Sequence, residues 1–328
     1  MAGVARNRKI YLVYAVLLAL LAAACLASLF AGAVWVPLRE MASSDIVRLR
    51  VPRILLGVVA GAGLSVAGVI FQALLRNPLA DPYVLGVSSG AALGAALAIL
   101  FGLAALGAWA LPGMAFAGAL ATILLVYALA RTAGGRIPIH TLLLSGVIVG
   151  AVLGSVLMFI VSVSTSQRLH SVVWWLLGNL QIFDWSLLGA VSAAVFAGVA
   201  VTLLFARDLN LMTLGEEPAA HLGLHVEGAK RMFFLVASLL TGAAVAACGL
   251  IGFVGLIIPH AMRLVVGPDH RRLAPASALA GAAFLVLADA FGRSVMAPLE
   301  IPVGVVTTFL GGPFFLLLLR RVRSSYGR

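Results

Sequence analysis

Long apolar runs with charges confined to their ends constrain this sequence more than any motif does. The first, from Ile10 to about Val36, carries no charged side chain. It is too long for the apolar core of a signal peptide and lacks a clear cleavage site, so it reads as a span. A helical span needs about 20 apolar residues. The runs are rich in Leu, Ala, Val and Gly and lack the strict alternation of a membrane β-barrel. They place spans near 10–34, 53–75, 85–104, 112–131, 140–163, 186–206, 231–248, 252–266, 275–292 and 303–320. The expected fold is all-α, a polytopic membrane protein of about ten transmembrane helices in a single domain over residues 1–328. Composition agrees. Only 10% of residues are charged and 63% are hydrophobic, against about 25% charged in soluble chains. A soluble fold is excluded, and the lipid bilayer is the solvent for most side chains.

The net charge of +11 invites a nucleic-acid partner, but the basic residues are scattered at span ends and form no stripe. Ten spans put both termini on one side. Sixteen basic residues then fall on the cytoplasmic side: Arg6, Arg8, Lys9, Arg76, Arg131, Arg136, Arg207, Lys230, Arg231, Arg263, Arg271, Arg272, Arg320, Arg321, Arg323 and Arg328. Six fall outside: Arg39, Arg48, Arg50, Arg53, Arg168 and Arg293. This asymmetry predicts cytoplasmic termini in an inner (plasma) membrane.

Two regions strain a simple hairpin count. The run 232–266 holds 35 residues and carries Gly249, Gly252, Gly255 and Pro259. At 1.5 Å per residue it is too short for two full spans and a turn, so one member is short or broken. Between the fifth and sixth spans, Trp174, Trp175 and Trp185 mark an interfacial zone. Ser171 to Leu180 there forms either a short surface helix or a plain aromatic belt. Glycines recur every four residues at Gly57 and Gly61, at Gly90 and Gly94, and at Gly146, Gly150 and Gly154. Such spacing lets helix backbones approach closely in lipid.

The longest polar interruption is Arg207–Arg231. Glu216, Glu217 and Pro218 suit a helix start, where carboxylates complement the helix dipole and proline is tolerated. With Ala219, Ala220, Leu222 and Gly223 they form either a small-surfaced helix that plugs a groove on a soluble partner or a solvated loop. No phosphate-binding GxxxxGK[ST] loop occurs, nor HExxH, GxSxG or paired-cysteine zinc spacing. Cys25 and Cys248 lie inside apolar runs and read as small hydrophobes. No cofactor, metal site or catalytic residue is therefore expected, and uphill transport would draw energy from another chain or an ion gradient. A gradient-driven carrier usually keeps acids at mid-membrane. Of the acids here, Asp289 alone is a doubtful case.

Ordered segments carry a resemblance. RNPLADP at 76–82, LGVSSGAALGA at 85–95, GLIGFVGLIIPHAMR at 249–263, DHRRLAPASALAGA at 269–282 and PLEIPVGVVTTFLGGPFF at 298–315 are similar to ABC importer permeases for iron-siderophore, haem and cobalamin uptake, the FecCD family. The loop at 207–230 resembles that family's cytoplasmic coupling segment. The resemblance implies a type II ABC importer permease. It would be a homodimer with two cytoplasmic ATPase subunits below and a periplasmic or surface substrate-binding protein above. Such a subunit moves a metal chelate, with ferric siderophore expected first and cobalamin or haem next. An ion-coupled secondary transporter acting without an ATPase is the alternative.

On this resemblance Glu216, Glu217, Pro218, Ala219, Ala220, Leu222 and Gly223 couple to the ATPase. Arg50, Arg53 and Arg293 resemble arginines that meet carboxylates of the binding protein, as guanidinium forks do. Read from the residues alone, these arginines and Arg48 equally suit headgroup contact or pairing with Asp45 and Glu40. Asn77, Leu79, Ile139, His140 and Thr141 match positions that narrow the translocation path. His140 departs from the small hydroxylic residue expected there, and Asn77-Pro78 equally reads as a helix stop. His260 beside Pro259 reads as a structural histidine rather than a haem ligand, and His170 near the outer mouth is a candidate for substrate contact.

Overall fold

The computed structural model describes residues 2–32, 45–132, 134–182 and 184–326, with side-chain surroundings from residue 9 to residue 316. The end of the first expected span, Arg39, Glu40 and Arg328 lie outside the described residues, as do the side chains of Arg6, Arg8, Arg320, Arg321 and Arg323. Among the described residues the secondary structure is helical, without strands. The helices are α1 (Ala2–Phe30), α2 (Asp45–Leu74), α3 (Val87–Leu100), α4 (Ala110–Ala130), α5 (Ile139–Ser162), α6 (Ser166–Leu176) and α7 (Trp185–Leu204). They continue with α8 (Ala206–Met212), α9 (Glu216–His221), α10 (Val226–Cys248), α11 (Val254–Val266), α12 (His270–Ser294) and α13 (Val303–Tyr326).

Among the described residues seven helices are long and apolar enough to cross a membrane: α1 from Lys9, α2, α4, α5, α7, α10 and α12. Three shorter apolar helices, α3, α11 and Val303–Leu316 of α13, fall on the remaining expected spans. α2 sits at the centre, packed by α12, α10, α11 and α7. Leu56, Ala60, Val66, Val69, Ile70 and Phe71 are all sealed from solvent. α3 and α4 pack against α10, and α5 packs against α3 and α4. Leu144, Ile148, Val152 and Phe159 of α5 and Phe196 and Leu204 of α7 stay exposed, as expected of faces that meet lipid or another chain.

Glycine sets the close approaches. A Cβ on Gly61 would run into the carbonyl of Gly281, and one on Gly68 into that of Gly255. α2 therefore lies backbone to backbone against α12 and α11, where dispersion replaces the hydrophobic drive in lipid. Of the spaced glycines, Gly90 meets Gly118 and Thr122, Gly94 meets Met114 and Gly146 meets Leu85, but Gly154 faces open space.

The crowded run 232–266 resolves as anticipated, with one member short. α10 keeps 23 residues and α11 only 13. The break between them holds Gly249 at φ 69° and Phe253 at φ 68°. Phe253 is a bulky residue in the left-handed region, a strained conformation, and its ring fills the space that Gly311 leaves. Tyr83 ties the break down: its hydroxyl donates to the Ile251 carbonyl at 2.9 Å and accepts the Ile251 N–H at 2.9 Å.

Three expectations shift. α2 starts at Asp45, so Arg48, Arg50 and Arg53 lie on its first turns and not ahead of it. The surface helix is α6, Ser166–Leu176, which begins ahead of Ser171. The residues after it pack inward instead of extending it: Leu180 is fully buried, and the Asn179 N–H donates to the Cys248 carbonyl at 2.7 Å.

Candidate functional site

Polar side chains gather at the two ends of α2, roughly 40 Å apart at 1.5 Å per residue. At its start the three candidate docking arginines meet. Arg53 grips Asp289 with Nε at 3.0 Å from both carboxylate oxygens and Nη2 at 2.8 Å. Its Nη1 reaches Glu300 at 3.0 Å. Arg293, one turn beyond Asp289 on α12, adds Nε to Asp289 at 2.9 Å. The remaining donors of Arg293 go to the end of α1: the Ala31 carbonyl at 3.0 Å, the Ser28 carbonyl at 3.1 Å and the Ser28 hydroxyl at 2.6 Å. Arg50 donates to the carbonyls of Leu29 at 2.6 Å and Phe30 at 3.1 Å. The last carbonyls of a helix lack intrahelical donors. α1 has no basic residue in its last turn, so α2 and α12 supply the cap.

The arrangement therefore unites Arg50, Arg53 and Arg293 but turns them inward. Arg50 and Arg293 are 6% and 3% exposed, and a desolvated guanidinium needs these internal acceptors. Asp289, the doubtful acid, is buried between two arginines. Among the described residues of this face Arg48 is an exposed cation, paired with Asp45 at 3.6 Å, both side chains being mostly in solvent. Pairing with Asp45 thus holds for Arg48, while Glu40 lies outside the described residues.

At the other end α2 stops at the Asn77 turn, where Asn77 Oδ1 accepts the Leu79 N–H at 2.9 Å. Asn77 and His140 are exposed, while Leu79, Ile139 and Thr141 are half-buried. The two candidate gate segments are connected through the turn Pro82–Leu85: Leu85 lies against Gly146 and Gly86 against Gly150 of α5. His260 is half-buried inside α11, and its Nδ1 has no hydrogen-bond partner among the described residues. His170 stacks on Trp174 with ring centroids 6.1 Å apart. Both line a cleft of about 810 Å³ with Asn179, Gln181 and Asp184. Asp184 caps α7, and the Ser186 hydroxyl and Leu187 N–H hold its carboxyl below the usual carboxylate range.

The candidate coupling segment folds as two short helices. In α8, Ala206, Leu209 and Met212 are buried. Asn210 donates to Asp269 at 2.8 Å and accepts the His270 N–H at 2.9 Å, tying α8 to the start of α12. Burial would raise the Asp269 carboxyl. Hydrogen bonds from Asn210 and the Arg271 N–H, with the charges of Arg272 and Arg271, outweigh it and hold the group low. α9 begins after Gly215 at φ 115° and ends in a left-handed Gly223 at φ 86°. There the Leu224 N–H reaches back to the Ala219 carbonyl at 3.0 Å, the closure that glycine favours at helix ends. Leu222 and Gly223 thus lie in the cap and not in the helix.

The candidate coupling residues divide by face. Ala219 is fully buried. Glu216 is engaged by Lys230 at 2.7 Å. Glu217, Pro218, Ala220, Leu222 and Gly223 face outward, joined by exposed Leu214. In the sequence Lys230 reads as a cytoplasmic topology charge without the glycine frame of a phosphate loop. It is 4% exposed and also bonds Glu227 at 2.9 Å and the Ile137 carbonyl at 3.1 Å.

Comparison with known proteins shows the family and the fold. Residues 20–321 match the FecCD transport family. The chain is 48% identical over 281 residues to the cobalamin import system permease protein BtuC of Halobacterium salinarum, covering 86% of this chain and 74% of that one. It is 40% identical to the Fe(3+) dicitrate transport system permease protein FecD of Escherichia coli, covering 96% and 100%. A solved metal-chelate type ABC transporter in an inward-facing conformation superposes with TM-score 0.85 at 30% identity, covering 96% of this chain and 99% of that one.

Proposed function

This chain belongs to the FecCD transport family, and we propose that it is the membrane-spanning subunit of a binding-protein-dependent ABC importer that brings a metal chelate into the cytoplasm. Ferric siderophore is the first cargo, with cobalamin or haem next. The relatives named for ferric dicitrate and cobalamin support the class. The observation that carries the reading is α9: a short helix between α7 and α10 whose residues Glu217, Pro218 and Ala220, with Leu222 of its cap, are exposed. Two ATPase subunits push on this face, and a second copy of the chain completes the path. The termini are cytoplasmic.

Asp289 favours this reading over an ion-coupled carrier. Arg53 at 2.8 Å and Arg293 at 2.9 Å neutralise it, so this acid is not poised to cycle a proton. The opposite rim docks the binding protein. Arg53 exchanges its half-exposed partner Glu300 for a carboxylate of the incoming protein, and Arg50 and Arg293 hold the rim in place behind it. Asn77, Leu79 and residues 139–141 narrow the inner end of the path. Closing of the ATPases on α9 rocks the spans and alternates access.

Reconstituted uptake tests the whole. Import of a ferric siderophore, cyanocobalamin or haemin should require ATP, an ATPase chain and a binding protein, and should persist with an uncoupler. Uptake that needs no ATPase, or that an uncoupler abolishes, overturns the reading. Tryptophan at both Asn77 and Leu79 should slow release of cargo and leave docking unchanged.

A further inference from the structure

Lys230 is one of two lysines in the chain, and it is buried. An ammonium taken out of water must satisfy its three donors. Here they meet Glu216 at 2.7 Å, Glu227 at 2.9 Å and the Ile137 carbonyl at 3.1 Å. The second oxygen of Glu227 accepts the Ile137 N–H at 3.1 Å. Glu227 and Lys230 therefore hold both polar groups of one peptide residue, a grip on backbone that does not depend on the side chain at 137.

The partners lie on three separate segments. Glu216 opens α9, Glu227 and Lys230 lie at the start of α10, and Ile137 stands two residues ahead of α5. The first turn of α5 carries Ile139, His140 and Thr141. Charge-assisted bonds of this length are among the strongest available to side chains. A displacement of α9 must either break the Glu216 pair or carry Lys230, and with it the Ile137 peptide, along.

We infer that Lys230 is a positioning residue that ties the lever α9 to the entrance of α5, so that movement of α9 reaches residues 139–141 through Glu216, the ammonium and the Ile137 backbone. The inference rests on the importer reading, which supplies the push. Arginine at 230 would keep both ion pairs but would fit the three-way site less well, because its donors lie in one plane.

The test reads the gate without needing the cargo. T141C is introduced into the full chain lacking its other cysteines (C25A and C248A) and assembled with its ATPase in proteoliposomes. Labelling of the new thiol by a membrane-impermeant maleimide is timed with and without ATP plus vanadate. With Lys230 present, nucleotide should change the labelling rate about tenfold, within the range of ordinary coupling energies. K230M should reduce that change to less than about twofold while the ATPase remains bound and hydrolyses ATP. K230R should recover most of the response. K230M/E227M removes the grip without leaving the partly exposed Glu227 carboxylate facing an apolar side chain, and it decides the matter if K230M does not fold. A full response in K230M/E227M overturns the tie alone. An unsubstituted Lys230 chain that binds no ATPase, or whose thiol ignores nucleotide, overturns the importer reading and the tie with it.

Discussion

The two ionic clusters at the ends of α2 are built to opposite plans. The cluster around Asp289 places three arginines against two carboxylates and the carbonyls of α1, with Arg50, Asp289 and Arg293 almost fully buried. The cluster around Lys230 sets one buried ammonium against two partly exposed carboxylates and one peptide. The first spends its charge on holding three long helices together. The second holds a six-residue helix whose other face remains free. Charge at one end is a staple, and at the other a joint.

The largest test of this contrast is D289N, which leaves Arg53 and Arg293 without their shared anion. Breaking a buried pair by removing one partner costs about 3–5 kcal/mol, so thermal unfolding in detergent should show a severe loss. A midpoint like that of the unaltered chain would deny the staple. At the joint the damage should fall on association instead. A220W adds bulk to the outward face of α9 and should reduce recovery of the ATPase in co-purification by about thirtyfold, ~2 kcal/mol, with the unfolding midpoint unchanged. Full recovery would remove α9 from the interface.

A smaller effect sharpens the reading of the staple. E300Q frees one side of Arg53 and should tighten docking of the binding protein about fivefold, ~1 kcal/mol, the upper end for a partly exposed ion pair. Weaker docking would show that Glu300 itself meets the partner. Smallest of all, R48A should shift docking by about 0.5 kcal/mol or less, and mainly at low salt. A large loss would move the docking site from Arg53 to the exposed first turn of α2.

Much of the fold was legible because lipid permits so few solutions. The ten apolar runs fall on helices, the crowded glycine-rich run 232–266 yields the short α11, and Glu216 and Pro218 open a helix. The two clusters were less readable, for a definite reason. The partners of Arg50 and Arg293 are largely backbone carbonyls of α1, and a peptide group carries no mark in the sequence. Lys230 is likewise held partly by the peptide of Ile137, 93 positions away. The polar stretch from Asp45 to Arg53 reads as a loop by hydropathy, yet it is helical because α12 and the end of α1 meet its arginines. Ala219 matched the coupling pattern, and only the packing of α9 shows that it faces inward.

The cap on α1 also bears on how the molecule is made. The first helix leaves the ribosome well before its cap is complete, since Arg293 lies 262 residues downstream of the Ala31 carbonyl it satisfies. Until then Arg50 is the donor within reach. A nascent chain stalled before the twelfth helix therefore carries a leading segment that is inserted but not yet fastened.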